Sequence, residues 1–394
     1  FLKVQAIHLL PVTLTGTGEG TAHLTLRITG PGGYQLIRHW DMVVHSTQPP
    51  VSKNHRLTLV AGSQHLLKPD LQGFIPGSST TAVTLGNTLP FNPKVYVQAL
   101  YQGWHCHSLL NAASQGLPLT ILKSPLITPE QAAKLQDYVN QVLNDQRYDG
   151  AFGLWSNNGD AQPWLTAFAT EFLLRAQKAG ATVPQPTIDQ ALHWLSNEVE
   201  EESHPVFDRI YAVYDLSLAG KAPAGAIRML ARHMDQLTMP LALAQLGSAL
   251  NTIGERHLAE QALQKAIKSQ GPIGGDWWWG RSDWDAAFGS PLRDAWAVPT
   301  IIAQTGLMPD AMVKLRQNLP GAGLEPDSLT TQELAWALYA DGVLGGNNQP
   351  VHVQWGQRTI QQTGPVVLPL RQAINIRNLG SKALTVALST TGIT

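Results

Sequence analysis

The chain has little charge, a single cysteine and no long apolar run, and each shortage excludes a class of protein. Charged residues make up 14% of the 394 residues, against about 25% in typical soluble domains. The formal net charge is −1 and no basic block stands out, so the sequence offers no patch for the phosphates of a nucleic acid. One cysteine cannot form an internal disulfide. No apolar stretch approaches the roughly 20 residues that a membrane-spanning helix needs.

The sequence also has no initiator methionine and no signal peptide, because Phe1 opens directly into strand-like sequence. We therefore expect an excerpt from a longer protein, whose targeting signals lie elsewhere. The length predicts two or three domains. A hydrophobic content of 43% is ample for buried cores.

The first part of the chain is predicted to be β structure. Ala22, Leu24, Leu26 and Ile28 alternate with polar residues, which is typical of a half-buried strand. A Pro-Gly-Gly turn then leads into a second strand over 34–44, and the pair predicts a hairpin. Short strands are also predicted over 56–60 and 80–85, too few for an independent sheet.

From Pro93 the pattern becomes helical for more than two hundred residues. Thr128, Pro129 and Gln131 predict a helix start with a capping box, and Thr187 is expected to cap a later helix. A dozen or so helices joined by short loops predict a solenoid or a closed α/α toroid, and the lack of a fixed repeat disfavours the solenoid. The helix after Thr187 is expected to contain Ala191, Trp194 and Leu195. The other predicted helices span 162–180, 207–220, 224–234, 241–254, 257–269, 292–306 and 330–342.

After residue 349 the pattern returns to strands, predicted over 351–355, 366–370, 373–376 and 384–388. We expect these strands to complete the sheet begun by the earlier ones, with the helical region inserted between them. An insertion explains why neither β segment is long enough to fold alone.

The junction before the helices offers two candidate reactive groups. Cys106 lies between His105 and His107, which permits a metal site or an activated thiol. Adjacent ligands point in different directions, however, and no second cluster completes a coordination shell. Ser108 lacks the Gly-x-Ser-x-Gly context of a hydrolase nucleophile. Ordinary structural roles are favoured for both groups, and no metal or cofactor is predicted.

Two aromatic, glycine-rich segments carry the other candidate chemistry. Tyr148–Trp155 and Gly275–Gly280 each lead into a helix. Carboxylates beside aromatic residues would suit the sugar cleft of a toroidal glycosidase, although helix capping by the Asp residues is the simpler interpretation. The acidic run 198–202 is interpreted as a solvated helix end. The carboxylates concerned are Asp149, Asp276, Asp283, Asp285 and Asp294.

Several of these motifs together resemble one family. YDGAFGLW followed by WLTAFATEFLLRA, the helix PLRDAWAVPTIIAQTG and the segment SLTTQELAWALYA are similar to helices of the bacterial α2-macroglobulins and their complement-like relatives. The resemblance covers nearly the whole chain. It implies an α+β multidomain fold with an α/α toroid, the thioester-like domain, inserted in a CUB-like β-sandwich and preceded by part of a macroglobulin-like β domain. The implied segments are 1–49 (macroglobulin-like), 50–91 and 347–394 (CUB-like) and 92–346 (toroid).

The resemblance fails at the reactive motif. Family members with a thioester carry Cys-Leu-Glu-Gln at the start of the toroid, where the Cys thiol and the Gln side chain condense. Alignment on the downstream Leu117-Pro118-Leu119 places Ser108, Leu109, Leu110 and Asn111 on those four positions. Serine could give only a far less reactive ester, and Asn is one methylene shorter than Gln. A register shifted to Cys106 would put Leu109 where Gln is needed. No covalent bond is therefore predicted.

By resemblance, the function is that of a broad-spectrum protease inhibitor, not an enzyme. The parent protein would be cleaved in a bait region outside this chain and would then trap the protease without attaching it. The implied partners are proteases and other envelope proteins, with no nucleic acid and no membrane span in this stretch, and the implied location is the periplasm. An α/α-toroid carbohydrate enzyme and a purely structural envelope module remain the alternatives.

Overall fold

A computed structural model describes most of the chain, with ten strands and twelve helices among the described residues. The strands are β1 Gly20–Thr29, β2 Gln35–Val44, β3 Val51–Leu59, β4 Gln64–Leu67, β5 Thr80–Gly86, β6 Pro350–Trp355, β7 Arg358–Thr363, β8 Val366–Pro369, β9 Ile374–Asn378 and β10 Leu384–Gly392. The described residues are 11–15, 20–44, 51–86, 89, 91–102, 107–124, 126–270, 287–321, 324, 326–345 and 350–393.

Strands β1 and β2 form the predicted hairpin, with Gly20 opposite Val44 and Thr29 opposite Gln35. This register places Leu24, Leu26 and Ile28 on the same face as Trp40 of the second strand. Most of these side chains are exposed. The alternation that predicted the strands is therefore real, but the hairpin by itself buries little of its apolar face.

The other eight strands form two antiparallel four-stranded sheets, in the orders β3-β10-β5-β8 and β4-β9-β6-β7. Each sheet combines strands from before the helices with strands from after them, since β10 pairs with both β3 and β5. The apolar faces of the sheets meet in one core, which contains Leu85, Val353, Ile376 and Val386. The sandwich therefore needs both ends of the chain, and the helical region is an insertion in it.

Twelve helices occupy the described part of the insertion. Their bounds are α1 Pro93–Gln102, α2 Leu109–Leu119, α3 Pro129–Asn144, α4 Pro163–Lys178, α5 Gln185–Glu200, α6 Val206–Leu218, α7 Ala224–Ala231, α8 Pro240–Thr252, α9 Arg256–Lys268, α10 Pro291–Thr305, α11 Pro309–Gln317 and α12 Thr331–Leu344.

The even-numbered helices form a closed inner ring. Helix α2 contacts α4, α4 contacts α6, and the series continues through α8, α10 and α12 back to α2. The remaining helices pack outside this ring, each against one or two inner helices. The prediction of an α/α toroid inserted in a β-sandwich is confirmed. A closed ring does not require the fixed-length sequence repeat of a solenoid, and none is found in this sequence.

The inner and outer helices differ in how their buried residues are distributed around the helix. Inner helix α12 buries side chains all around, from Gln332 to Asp341, because it has neighbours on every side. Outer helix α3 buries only Tyr138, Val139 and Val142, partly buries Leu135 and Leu143, and exposes most of its other side chains to solvent. An outer helix therefore shows a clear apolar stripe in sequence, whereas an inner helix shows a nearly continuous apolar run.

A polar junction joins the toroid to the sandwich. The Asn92 side chain, just before α1, accepts a hydrogen bond from Thr84 of β5 at 3.1 Å. At the end of α12, the Asp341 carboxylate accepts from the backbone N–H of Leu89. Burial raises the pKa of Asp341 to about 6. Hydrogen bonds and charge, in addition to apolar packing, thus hold the two units together.

Several local predictions need correction. Thr187 does not cap α5, which begins at Gln185 after an extended Pro184. The acidic run is not wholly solvated, because Glu198 is buried. Strands β4 and β7 and helix α11 were not predicted, since short or polar elements carry little periodic signal. No described helix has the length and apolar character required to cross a membrane.

Candidate functional site at the start of helix α2

The four residues aligned with the reactive motif lie at the beginning of inner helix α2. Ser108 is the N-cap residue, with extended backbone and only 7% exposure. Its Oγ accepts a hydrogen bond from the backbone N–H of Asn111 at 3.3 Å. Asn111 is therefore at the third helical position, and Ser108 acts as an ordinary cap that satisfies one free helix N–H.

This position explains how a Cys and a Gln at that spacing can react in a relative. The side chains of the N-cap and of the third helical residue converge on the same end of a helix, as in a capping box. In this chain the converging residues are Ser108 and Asn111. The thiol and the longer amide of the reactive motif are absent from these two positions.

The leucines between them belong to the packing of the toroid. Leu109 is fully buried, and Leu110 is partly buried against the same core. The backbone N–H of Leu109 donates to the carbonyl of Leu154, at 2.9 Å, so the aromatic loop is tied to the start of α2.

One turn further, α2 is joined to the last inner helix. Ser114 Oγ donates to the carbonyl of Leu110 and accepts from the Gln332 amide of α12 at 2.8 Å. The site therefore lies where the ring closes between its first and last inner helices.

The aromatic loop over 148–155 is shaped by a buried plug and a close approach of backbone. Phe152 is fully buried, whereas Tyr148 is 93% and Trp155 62% exposed. Gly150 has φ +93°, and a Cβ there would lie 2.5 Å from the carbonyl oxygen of Gln190. Only glycine fits that position. The loop presents two aromatic side chains to solvent on the face of the toroid that holds Ser108.

The described carboxylates of the aromatic loops are engaged with arginines. Asp149 pairs with Arg147 at 3.1 Å. Asp294 is buried with Arg293, which also donates to the carbonyl of Ala287 at 2.7 Å. Both carboxylates therefore have structural partners. Asp276, Asp283 and Asp285 lie outside the described residues.

Of the candidate metal or thiol residues beside Ser108, only one lies within the described residues. His105 and Cys106 lie outside the described residues, while His107 is exposed. Within the described ranges, no group of three His, Cys, Asp or Glu side chains is arranged to hold a metal ion.

The sequence reading missed a buried charged network inside the ring. Glu171 of α4 is fully buried and pairs with Arg175 at 2.7 Å. Arg175 also donates to the hydroxyls of Tyr214 and Tyr339, and the Tyr211 hydroxyl donates to Glu171. The signal was present, because Glu171 and Arg175 interrupt the apolar run of an inner helix at a spacing of four.

Asp215 of α6 is a further buried carboxyl close to this network. Its two carboxylate oxygens have no hydrogen-bond partner among the described residues. Burial, reinforced by Glu171, raises the pKa of Asp215 well above its usual range. Burial beside a second carboxyl therefore disfavours the charged form of Asp215.

A second buried acidic pair lies between α5 and α6. The carboxylate of Glu198 contacts Nδ1 of His204 at 2.8 Å. Burial first, and Glu198 second, raise the pKa of Asp208 to about 7, while the contact with Glu198 raises the pKa of His204. Burial likewise raises the pKa of Glu198, so the pKa values of both carboxyls and of the imidazole are all shifted upward.

Comparison with known proteins agrees with this architecture. Residues 112–222 match the sequence profile of the A-macroglobulin TED domain. The alpha-2-macroglobulin of Escherichia coli K12 is 28% identical over 356 residues, which cover 84% of this chain and 21% of that protein. The chain thus spans about a fifth of the length of this curated relative.

Solved structures show the same fold. The native conformation of E. coli alpha-2-macroglobulin superposes with a TM-score of 0.72 at 24% identity, over 95% of this chain and 25% of that chain. The trypsin-activated form of the same E. coli protein gives a TM-score of 0.57 at 23% identity, over 95% and 27% of the two chains. Both comparisons show that the chain shares the fold of these proteins.

The closed double ring inserted in a β-sandwich defines a thioester-type (TED) helical domain with its flanking β-structure. The resemblance to the bacterial alpha-2-macroglobulins is confirmed, and this chain is a relative of those proteins over the region that contains that domain.

Proposed function

We propose that the chain is the thioester-domain region of a protease inhibitor of the alpha-2-macroglobulin type that retains proteases without a covalent bond. The observation that carries the proposal is the N-cap of α2, where Ser108 and Asn111 occupy the two converging positions. A serine oxygen and a shortened amide provide neither the sulfur nor the ring size of a thioester. The names of the related proteins support the inhibitor class.

In this proposal the toroid and sandwich are moving parts, not reacting ones. A protease would cut a bait segment elsewhere in the full-length protein, and the rearrangement that follows would enclose or block it. The relative from E. coli is known in a native and in a trypsin-activated form, which supports a change of form on contact with a protease. A periplasmic location is part of the proposal, because protease defence at the cell envelope is what the resemblance implies.

A protease challenge tests the proposal. The full-length protein is mixed with trypsin and elastase, and the residual activity is measured on a small peptide and on a large protein substrate. A non-covalent trap predicts loss of activity on the large substrate alone, with no adduct on a denaturing gel. An adduct formed at this domain would contradict the assignment of Ser108 and Asn111. Unchanged activity on both substrates would contradict the inhibitor class.

A repaired variant tests the register. Ser108→Cys with Leu110→Glu and Asn111→Gln should acquire methylamine, which mass spectrometry detects, if these positions correspond to the reactive motif. The matched control keeps Asn111 and carries only Ser108→Cys and Leu110→Glu, so it has a thiol without the acyl partner. Methylamine incorporation by both variants, or by neither, would contradict the proposed register.

A further inference from the structure

The net charge of −1 conceals a division of charge between the two units. The toroid region, 91–345, contains 17 Lys and Arg against 25 Asp and Glu. The sandwich segments, 51–86 and 350–393, contain seven Lys and Arg and a single acidic residue, Asp70, which pairs with His55. No Asp or Glu follows Asp341 in the sequence. The sandwich is therefore a basic module attached to an acidic one.

The sandwich also has an open side. Strands β7 and β8 are the last strands of their respective sheets, so each has an unpaired edge among the described residues. Between them and the loop that leads to β9 lies a cavity of about 930 Å³. Unpaired strand edges present rows of backbone donors and acceptors to any extended chain that approaches them.

The floor of this groove is the exposed part of the sandwich core. Trp355, Ile360, Leu368 and Ile374 line the groove, and each is only partly buried while packing against the core. Most core residues further inside are fully or almost fully buried, for example Val353 and Ile376. The two sheets thus leave an apolar strip uncovered where their edges separate.

Two arginines, Arg358 on β7 and Arg371 on the loop after β8, line the groove beside this strip. Both are exposed, and neither makes an ion pair with a described residue. A charged side chain on an edge strand can serve simply to prevent aggregation. That explanation accounts for Arg358 but not for Arg371, which does not lie on a strand.

We infer that this groove binds an extended acidic segment of a polypeptide. The segment adds to the free edge of β7, places apolar side chains on the strip formed by Trp355, Ile360 and Leu368, and presents carboxylates to Arg358 and Arg371. Strand addition of this kind takes affinity from backbone hydrogen bonds and specificity from alternate side chains. A concave groove of about 930 Å³ with an apolar floor between two strand edges fits one extended strand better than it fits a flat lipid surface or a nucleic acid. The inference does not depend on the proposed inhibitor function.

The test uses the complete chain and a fluorescein-labelled peptide of alternating Val and Glu, with binding followed by anisotropy at low salt. The double variant Arg358→Gln, Arg371→Gln should lower the affinity about tenfold, because two charge-assisted contacts are lost. Arg377→Gln, which removes an arginine of the same sandwich that does not line the groove, is the matched control and should leave the affinity unchanged. A peptide with alternate N-methylated amides should bind much more weakly.

Each variant should unfold at the same Tm as the unmodified protein, which shows that the fold is intact. An equal loss of peptide affinity in the double variant and in Arg377→Gln would overturn the inference. The peptide would then be attracted by the overall positive charge of the sandwich. Undiminished binding of the N-methylated peptide would overturn strand addition. Binding to phosphatidylglycerol vesicles, with no binding to the peptide, would identify a lipid surface as the partner and reject the peptide.

Discussion

The toroid and the sandwich bury their cores in different ways. The toroid closes on itself, so that every inner helix has neighbours on both sides and even charged groups such as Glu171 and Arg175 are satisfied inside it. The sandwich does not close, and its core is uncovered between β7 and β8. Closure makes a stable scaffold, whereas an open edge leaves surface available to a partner. The comparison predicts large effects inside the ring and small ones at the groove.

The largest effect is expected from breaking the ion pair within the ring. Arg175→Met leaves the buried Glu171 without its partner, and we expect a loss of about 3–5 kcal/mol in the free energy of unfolding. Urea unfolding followed by helical circular dichroism measures it. The matched control is Arg256→Met, which removes the arginine of an exposed pair with Glu260 at the same spacing. A similar loss in both variants would show that burial is not the cause.

A smaller loss in the free energy of unfolding is expected from substitutions in the sandwich, and it should differ between the covered core and the border of the groove. Ile374 and Ile376 lie two residues apart on β9 and face the same core, but Ile376 is fully buried and Ile374 borders the groove. Ile376→Ala should cost about 3 kcal/mol, and Ile374→Ala clearly less, because its site is already open. Hydrogen exchange of the β9 and β10 amides detects the difference. If both substitutions reduced the free energy of unfolding equally, the groove would be closed in solution.

The inner ring should tolerate added volume less than the outer ring. A Cβ at Gly116 of α2 would lie 2.3 Å from Cζ of Phe172, so Gly116→Ala should destabilise by about 1–3 kcal/mol. At Gly225 of outer helix α7, a Cβ meets nothing within 4 Å. Gly225→Ala should be neutral or slightly stabilising. Thermal unfolding of the two variants compares the rings, and the opposite ranking would contradict the assignment of inner and outer helices.

The smallest effect concerns pH. Because the pKa of Asp208 is raised to about 7, the folded protein holds a proton that the unfolded chain releases near pH 4. The stability that this proton provides is present at acidic pH and is lost as pH rises through about 7. Glu198 raises the pKa of Asp208 further, whereas His204 lowers it. Asp208→Asn should therefore reduce the loss of stability between pH 5 and pH 8.

Asp189→Asn is the control for this titration. Asp189 is exposed, and its pKa is lowered by the hydrogen bond from Lys221, so its contribution has the opposite sign and is lost as pH falls. Unfolding curves across the pH range distinguish the two cases. An unchanged pH profile in Asp208→Asn would show that this carboxyl is ionised in the folded protein.

Local signals predicted much of the fold from the sequence. The capping box of Thr128 and Gln131 starts α3 as expected, and the alternation around Leu24 and Leu26 produces the predicted hairpin. Strand β7 was missed because RTIQQT has a single apolar residue, as befits an edge strand with little to bury. That missed strand forms one wall of the groove, so the least predictable element is part of the new candidate site.

The sequence by itself determined the helix and strand periods, the family resemblance and the identities of Ser108 and Asn111, because these follow from side-chain chemistry and local spacing. Only the tertiary structure decided that six helices close into a ring, that Glu198 and Asp208 are buried, and that Arg358 and Arg371 line one groove. Each of these depends on contacts between residues far apart in the chain. Composition and local sequence patterns carry no information about which distant residues are in contact.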